Sequence, residues 1–456
     1  MTRKKSNRSP LLALIPATLY SALLCASDGS GTSDRPAAIA FLLPPESLDQ
    51  SAADQKRPAA TSDSADDPSA APDESESDET EEESGQLQRY LNTTAFGCWL
   101  SKNNLTVGGY LEQGFTWNPD SPRDRFNGPV APNDRANEYQ LNQLNLFIQR
   151  EVDKKPGCWD LGGRIGMLYG TDHRFNTALG LEDKINGGNR FYGLAIPQIF
   201  AEIFAPVGSG LTITAGHFLT LIGYEYTDPT ENFFYSQTYT SFTEPATHTG
   251  VLAAYQLTKQ LSVEGGFTRG WDNWNDNNDD LAYTQIIEWK SADERTTVSY
   301  AMHVGDEQAP DLDRTRYIQM ILVSRLLTKK LKFTLHSDIG FEDDGATDNR
   351  GRVYDSEWFG LTQYLQYEIN ERCEAGIRFE WFRDDDGARL IPVESEVGPG
   401  AGTYFDFTVG LNWRPRPNVR VRPEVRWDRS AGGIRPFDNA TDANQFLFAF
   451  DVIWEF

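Results

Sequence analysis

An all-β fold is what this sequence predicts: an antiparallel barrel of about sixteen strands, read from three observations. Segments of alternating apolar and polar residues recur from residue 105 onward, and period-two alternation gives a strand one apolar face. The connections between these segments are short and long in turn, the arrangement of barrels that cross an outer membrane with tight turns on one side and long loops on the other. Aromatic residues make up 12% of the chain while mean hydropathy is −0.53. Many rings with little continuous apolar sequence suit strands that face lipid with every second residue. After residue 24 no window holds the roughly 18 apolar residues that a spanning helix needs.

The chain before the strands reads as two segments. Arg3, Lys4, Lys5 and Arg8 precede an apolar run at 11–24, and small residues follow at Cys25, Ala26 and Ser27. This pattern predicts a secretory signal over 1–27. Leu24 stands where a lipoprotein signal places a small residue before its cysteine, so Cys25 is not read as lipidated. Residues 28–88 are poor in large apolar side chains and include an acidic block at 73–84. Such a segment buries too little surface to offset its ordering entropy, and a disordered periplasmic spacer is expected. The barrel is then 89–456. A net charge of −25 argues against nucleic acid as a partner. Four cysteines without a CxxC pair give no zinc or redox motif.

The expected strands are 105–117, 139–151, 159–170, 196–207, 211–221, 249–258, 261–271, 281–290, 295–304, 315–327, 331–341, 357–369, 373–382, 403–413, 419–428 and 444–456. Short turns are expected at 153–158, 208–210, 259–260, 291–294, 328–330, 370–372 and 414–418. Long loops are expected at 118–138, 171–195, 222–248, 272–280, 342–356, 383–402 and 429–443. In 419–428, Val419, Val421, Pro423, Val425 and Trp427 share one face. Arg420, Arg422, Glu424, Arg426 and Asp428 share the other, which in a barrel lines a watery lumen. In 331–341, Lys332, Thr334, His336 and Asp338 oppose Leu331, Phe333, Leu335 and Ile339. Trp117, Trp271, Trp289, Trp413, Trp427 and Trp454 fall near strand ends, as interfacial girdles do. The alternation in 139–151 changes phase midway, which predicts a bulge, and Pro423 predicts a local break in its ladder.

The segments 205–225 (APVGSGLTITAGHFLTLIGYE), 232–250 (NFFYSQTYTSFTEPATHTG) and 266–279 (GFTRGWDNWNDNND) resemble the OmpL-like β-barrel porins, over most of 105–456. The resemblance implies an outer-membrane pore and transfers no functional residue. The function expected is a passive diffusion channel for small polar solutes or ions, with no reaction and no cofactor. The alternative is a structural or adhesive surface barrel with a plugged lumen. The partners expected are outer-membrane lipid, the barrel-assembly machinery, small polar solutes and, as a homotrimer, further copies of the chain.

Candidate residues follow from this frame. His173, His217, His248, His303 and His336 show no ligand spacing, and no metal is expected. The Asp-rich stretches at 272–280, 342–348 and 384–386 match no defined calcium loop. The loop 222–248 is long and aromatic, with Tyr224, Tyr226, Phe233, Phe234, Tyr235, Tyr239 and Phe242. So many rings are costly in water, so the loop is expected to fold into the lumen, as the third loop of general sixteen-stranded porins does. Asp228, Glu231 and Glu244 are then expected to face a wall bearing Arg378, Arg422 and Arg426, a constriction with a transverse field. Trp454 and Phe456 are expected to serve as the assembly signal. Cys98 and Cys158, at the expected periplasmic ends of the first strands, are expected to form a disulfide, with Cys373 as competitor.

Overall fold

The computed structural model describes residues 85–187, 191–307, 314–347, 350–392 and 400–456; the signal and nearly all of the acidic spacer lie outside them. Sixteen strands follow in sequence: β1 (Thr106–Trp117), β2 (Tyr139–Arg150), β3 (Asp160–Gly170), β4 (Gly193–Ala205), β5 (Leu211–Leu219), β6 (Thr247–Gln256), β7 (Leu261–Thr268), β8 (Ala282–Lys290), β9 (Thr296–Asp306), β10 (Thr315–Leu326), β11 (Leu331–Thr347), β12 (Val353–Asn370), β13 (Cys373–Asp384), β14 (Gly402–Arg416), β15 (Val419–Ala431) and β16 (Asn444–Glu455). Each pairs antiparallel with its neighbours in sequence, and β1 pairs with β16 to close the barrel. Closure leaves no open sheet edge, which is what lets strands cross hydrocarbon with every backbone group satisfied. Among the described residues no helix is long and apolar enough to cross a membrane.

The burial pattern shows which face is which. In β16, Gln445, Leu447, Ala449, Asp451 and Ile453 are buried inside, while Phe446, Phe448, Phe450 and Trp454 point out and are 40–51% exposed. In β15 the buried face is Arg420, Arg422, Glu424, Arg426 and Asp428. Charge inside and rings outside inverts the soluble pattern, and a band of exposed apolar side chains this extensive is a lipid-facing belt. At the β1–β16 seam, Phe115 lies opposite Phe450 and Trp117 opposite Phe448, with ring centroids 6.5 and 5.2 Å apart. Trp117, Trp289, Trp413 and Trp454 lie in the exposed belt, but Trp271 does not. Strand β7 ends three residues earlier, and the Trp271 ring is buried beneath the guanidinium groups of Arg316 and Arg389.

Irregularities fall where the sequence places them, with two departures. The β1–β2 register shifts at Glu112/Gln113, so that β2 turns Gln140 and Asn142 inward and then, after the bulge, Gln143 and Asn145. Pro423 keeps its place opposite Phe450, but the ladder to β14 runs from Gly410–Glu424 to Trp413–Val421 without a pair at Pro423. Strands β11 and β12 are longer than expected, at 17 and 18 residues. Their ladder resumes at Ala346–Tyr354 after a shift, so part of the acidic loop at 342–356 is strand. Before β1 stand two helices, α1 (Gln86–Asn92) and α2 (Ala95–Lys102), so Cys98 lies on a helix and not at a strand end. Thr94 caps α2 by accepting from the Gly97 amide at 3.1 Å, and the helix presents Cys98 to solvent. The Cys98–Cys158 disulfide is absent: Cys98, Cys158 and Cys373 are free thiols.

A latched loop inside the barrel as candidate functional site

The loop between β5 and β6, 220–246, turns into the barrel and packs against the inner wall. Asp228 caps a short 3-10 turn, Pro229–Glu231, by accepting from the Thr230 amide at 2.9 Å. Thr238 caps the short helix Tyr239–Phe242 in the same way, its hydroxyl oxygen accepting from the Ser241 amide at 3.1 Å. Phe234, Tyr235 and Tyr239 are 1–3% exposed, so the rings that would be costly in water are removed from it. Glycines on the wall admit the loop. A methyl group at Gly376 would strike the Phe233 ring, and one at Gly360 would strike the Thr240 side chain.

The wall then grips the loop by its backbone. The Arg422 guanidinium donates from one nitrogen to the carbonyls of Pro229, Asn232 and Phe234, each at 2.9 Å. Arg378 donates to the Ser236 carbonyl at 2.6 Å, Arg426 to the Gln237 carbonyl at 2.5 Å, and Arg420 to the Thr230 carbonyl. Between them, Glu424 accepts from the amides of Tyr235 and Ser236 at 2.9 and 3.1 Å. Glu380 accepts from those of Tyr239 and Thr240, both at 2.8 Å. The Tyr239 hydroxyl donates to Asp428 at 2.6 Å, and the Tyr235 hydroxyl to Asn142, the unpaired residue of the β2 bulge, at 2.9 Å. Charge-assisted bonds of this kind are roughly twice as strong as neutral ones.

The arginines are also paired with wall carboxylates. Arg378 meets Asp406 at 2.7 Å and the loop's Glu225 at 2.9 Å. Arg422 meets Asp451 at 2.6 Å and Glu112 at 3.0 Å, and Arg426 meets Asp428 at 2.8 Å. All three arginine side chains are at most 1% exposed. This departs from the constriction that the sequence suggests. Arg378, Arg422 and Arg426 do not face Asp228, Glu231 and Glu244 across open water, because the loop lies directly on them. Glu244 sits elsewhere, beside His336 and Asp338 of β11. Asp228 and Glu231 lie on the loop's other side, along a cavity of about 70 Å³ lined also by Arg164, Glu202 and Glu264. Glu112 and Glu225 are site residues that the sequence reading did not name, while Glu380 and Glu424 were read as lumen-facing charges and not as acceptors of loop amides. For Glu380 and Glu424 the signal was the inward register of an acid beside a basic position on the same strand; Glu225 lies on the loop, and Glu112 has no basic residue on its strand.

A closed sixteen-strand barrel with a lipid-facing belt and a charged interior narrowed by its own loop is an outer-membrane pore. Residues 104–456 match the family described as "Putative beta-barrel porin-2, OmpL-like", and the chain belongs to it. It is a bacterial outer-membrane porin, a channel for solute diffusion. Among curated proteins, none matches the sequence. Among solved structures, the fold is similar to the outer-membrane channel DcaP of Acinetobacter baumannii (12% identity, TM-score 0.50, 77% of this chain and 97% of that one). It is also similar to an anion-selective porin from Comamonas acidovorans (8%, 0.51, 77% and 99%) and to Salmonella typhi OmpF in complex with daunomycin (11%, 0.52, 77% and 97%).

Proposed function

We propose that this porin passes small cationic and neutral polar solutes in preference to anions. One observation carries the reading. The arginines of the wall are consumed by the inward loop, and the cavity left on the loop's other side bears Glu202, Asp228, Glu231 and Glu264 against Arg164 alone. Fixed charge of one sign in a narrow passage sets which ion enters. The test is the reversal potential in planar bilayers under a KCl gradient. It belongs at about 0.1 M salt, where screening reaches about 10 Å, because at 1 M it reaches only about 3 Å. Potassium is expected to be favoured over chloride. The combined variant Glu202→Gln, Asp228→Asn, Glu231→Gln, Glu264→Gln is expected to lose most of that preference. A wild-type pore that favours chloride would refute the reading.

The same cavity makes selectivity depend on pH. Burial, and then the neighbouring charge of Asp228, push the Glu231 carboxyl up to about 7. Below that pH the group holds its proton and is neutral; above it the group is charged. Cation preference is therefore expected to rise as pH passes through neutrality, and Glu231→Gln to flatten that step while leaving the pore open. An unchanged pH profile in the variant would remove Glu231 from the passage. We also infer a homotrimer, supported only by the sixteen-strand porin architecture; the mass of the detergent-solubilised barrel by analytical ultracentrifugation tests it.

A further inference from the structure

A second group of charged side chains holds the loop, at its far end and by different chemistry. Glu244 lies just before β6, and His336 and Asp338 are alternate inward positions on β11. Their side chains are 3, 0 and 1% exposed. One ligand atom from each lies within 4.8 Å of the other two. His336 Nε2 is 2.9 Å from Asp338 Oδ1 and 3.2 Å from Glu244 Oε1.

At these separations hydrogen bonds would be expected, yet His336 Nε2, Glu244 Oε1 and both Asp338 carboxylate oxygens have no hydrogen-bond partner. The atoms converge without being aligned as donor and acceptor. Among the described residues, the ion pairs of Glu244 and Asp338 are with His336 only. The contrast with the arginine latch is direct, since there Glu112, Asp406, Asp428 and Asp451 meet guanidinium groups, and Glu380 and Glu424 accept backbone amides. Two carboxylates share one imidazole, all sealed from water, so even a protonated ring leaves one negative charge uncompensated, and uncompensated buried charge calls for a further cation.

We propose that Glu244, His336 and Asp338 bind one divalent transition-metal ion. In a tetrahedral zinc site with ligands at about 2.0–2.2 Å, donor atoms stand roughly 3.3–3.6 Å apart, a few tenths of an ångström wider than the 2.9 and 3.2 Å seen here. One imidazole with two carboxylates suits Zn²⁺ or a related ion, whereas Mg²⁺ and Ca²⁺ favour larger sets of oxygen ligands. The ion ties the end of the loop to β11 while the arginines tie its middle to β13 and β15. The sequence hid the site because a loop and a strand far apart in the chain supply its ligands, so no spacing motif exists. The site does not rest on the solute preference proposed above.

The experiment uses the full chain in detergent, stripped with EDTA, exposed to a small excess of Zn²⁺, desalted and assayed by plasma mass spectrometry. Wild type is expected to retain about one equivalent more zinc than His336→Ala, and zinc is expected to raise the unfolding midpoint of wild type but not of the variant. Asp338→Asn, nearly the same size and shape, carries the comparison if His336→Ala fails to give a heat-modifiable barrel. The difference between chains excludes zinc held by other acidic segments. Equal zinc retention by wild type and Asp338→Asn overturns the site, and so does a wild type that retains Ca²⁺ but not Zn²⁺.

Discussion

Replacing Arg378, Arg422 and Arg426 together with Ser is expected to raise single-channel conductance several-fold. These side chains bridge five loop carbonyls to the acids of the wall, and each removal strands a buried carboxylate among Asp406, Asp451, Glu112 and Asp428. Breaking one buried pair in this way typically costs about 3–5 kcal/mol. The loop is the cheapest element to give up, because the strands keep their ladders while the loop loses its anchors. Once released, it no longer fills its share of the lumen, and the watery cross-section widens. Amide hydrogen exchange at 229–240 should quicken in the same variant, while exchange in β13–β15 stays slow. Arg→Lys at all three positions is expected to behave much like Ser, since one ammonium cannot reproduce a guanidinium shared among three carbonyls. The gripping role fails if heat-modifiable triple-Ser barrels conduct as wild type does.

Deleting Phe456, or changing it to Asp, is expected to lower the folded barrel recovered from outer membranes several-fold without altering the conductance of the molecules that do fold. Phe456 extends the seam past the last strand residue. Its amide donates to the Gly109 carbonyl at 2.9 Å, and the Gly109 amide donates to its carbonyl at 3.2 Å. Its ring packs 5.2 Å from that of Trp454 and lies against Gly109. The β1–β16 ladder is the pairing with the greatest separation in sequence, so it forms late and at the highest loop-closure cost. An Asp at this point would add a charge beside the lipid belt. Heat-modifiability of outer-membrane fractions measures the effect. Normal yields of both variants would show that the seam closes without this residue.

The barrel was legible because lipid imposes one rule on every strand. Alternation in Phe446, Phe448, Phe450 and Trp454 has the same cause as alternation in Val421 and Val425, and sixteen repeats of a weak signal make a strong one. Even the bulge in β2 was visible, as a phase change. The inward fold of 220–246 was legible from its rings. What the loop touches was not. Charges on Arg378, Arg422 and Arg426 announce a polar lumen equally well whether they face water or a loop backbone. Only three-dimensional register shows that Glu380 and Glu424 stand beside them to receive amides. Trp271 was misread because a Trp near a strand end carries the same letter whether it faces lipid or lies beneath two guanidinium groups. Cys98 was placed at a strand end, whereas the Thr94 cap starts a helix there.

The manner of the grip has an evolutionary consequence. Arg420, Arg422, Arg378 and Arg426 address carbonyls, and Glu380 and Glu424 address amides, so most of the attachment is to atoms that every residue possesses. A side chain on the loop's cavity-facing side that caps no turn, such as Glu231, can be exchanged without renegotiating that attachment. Solute preference can therefore drift by single substitutions on a loop whose position is inherited intact, while the wall that holds it has far less liberty to change.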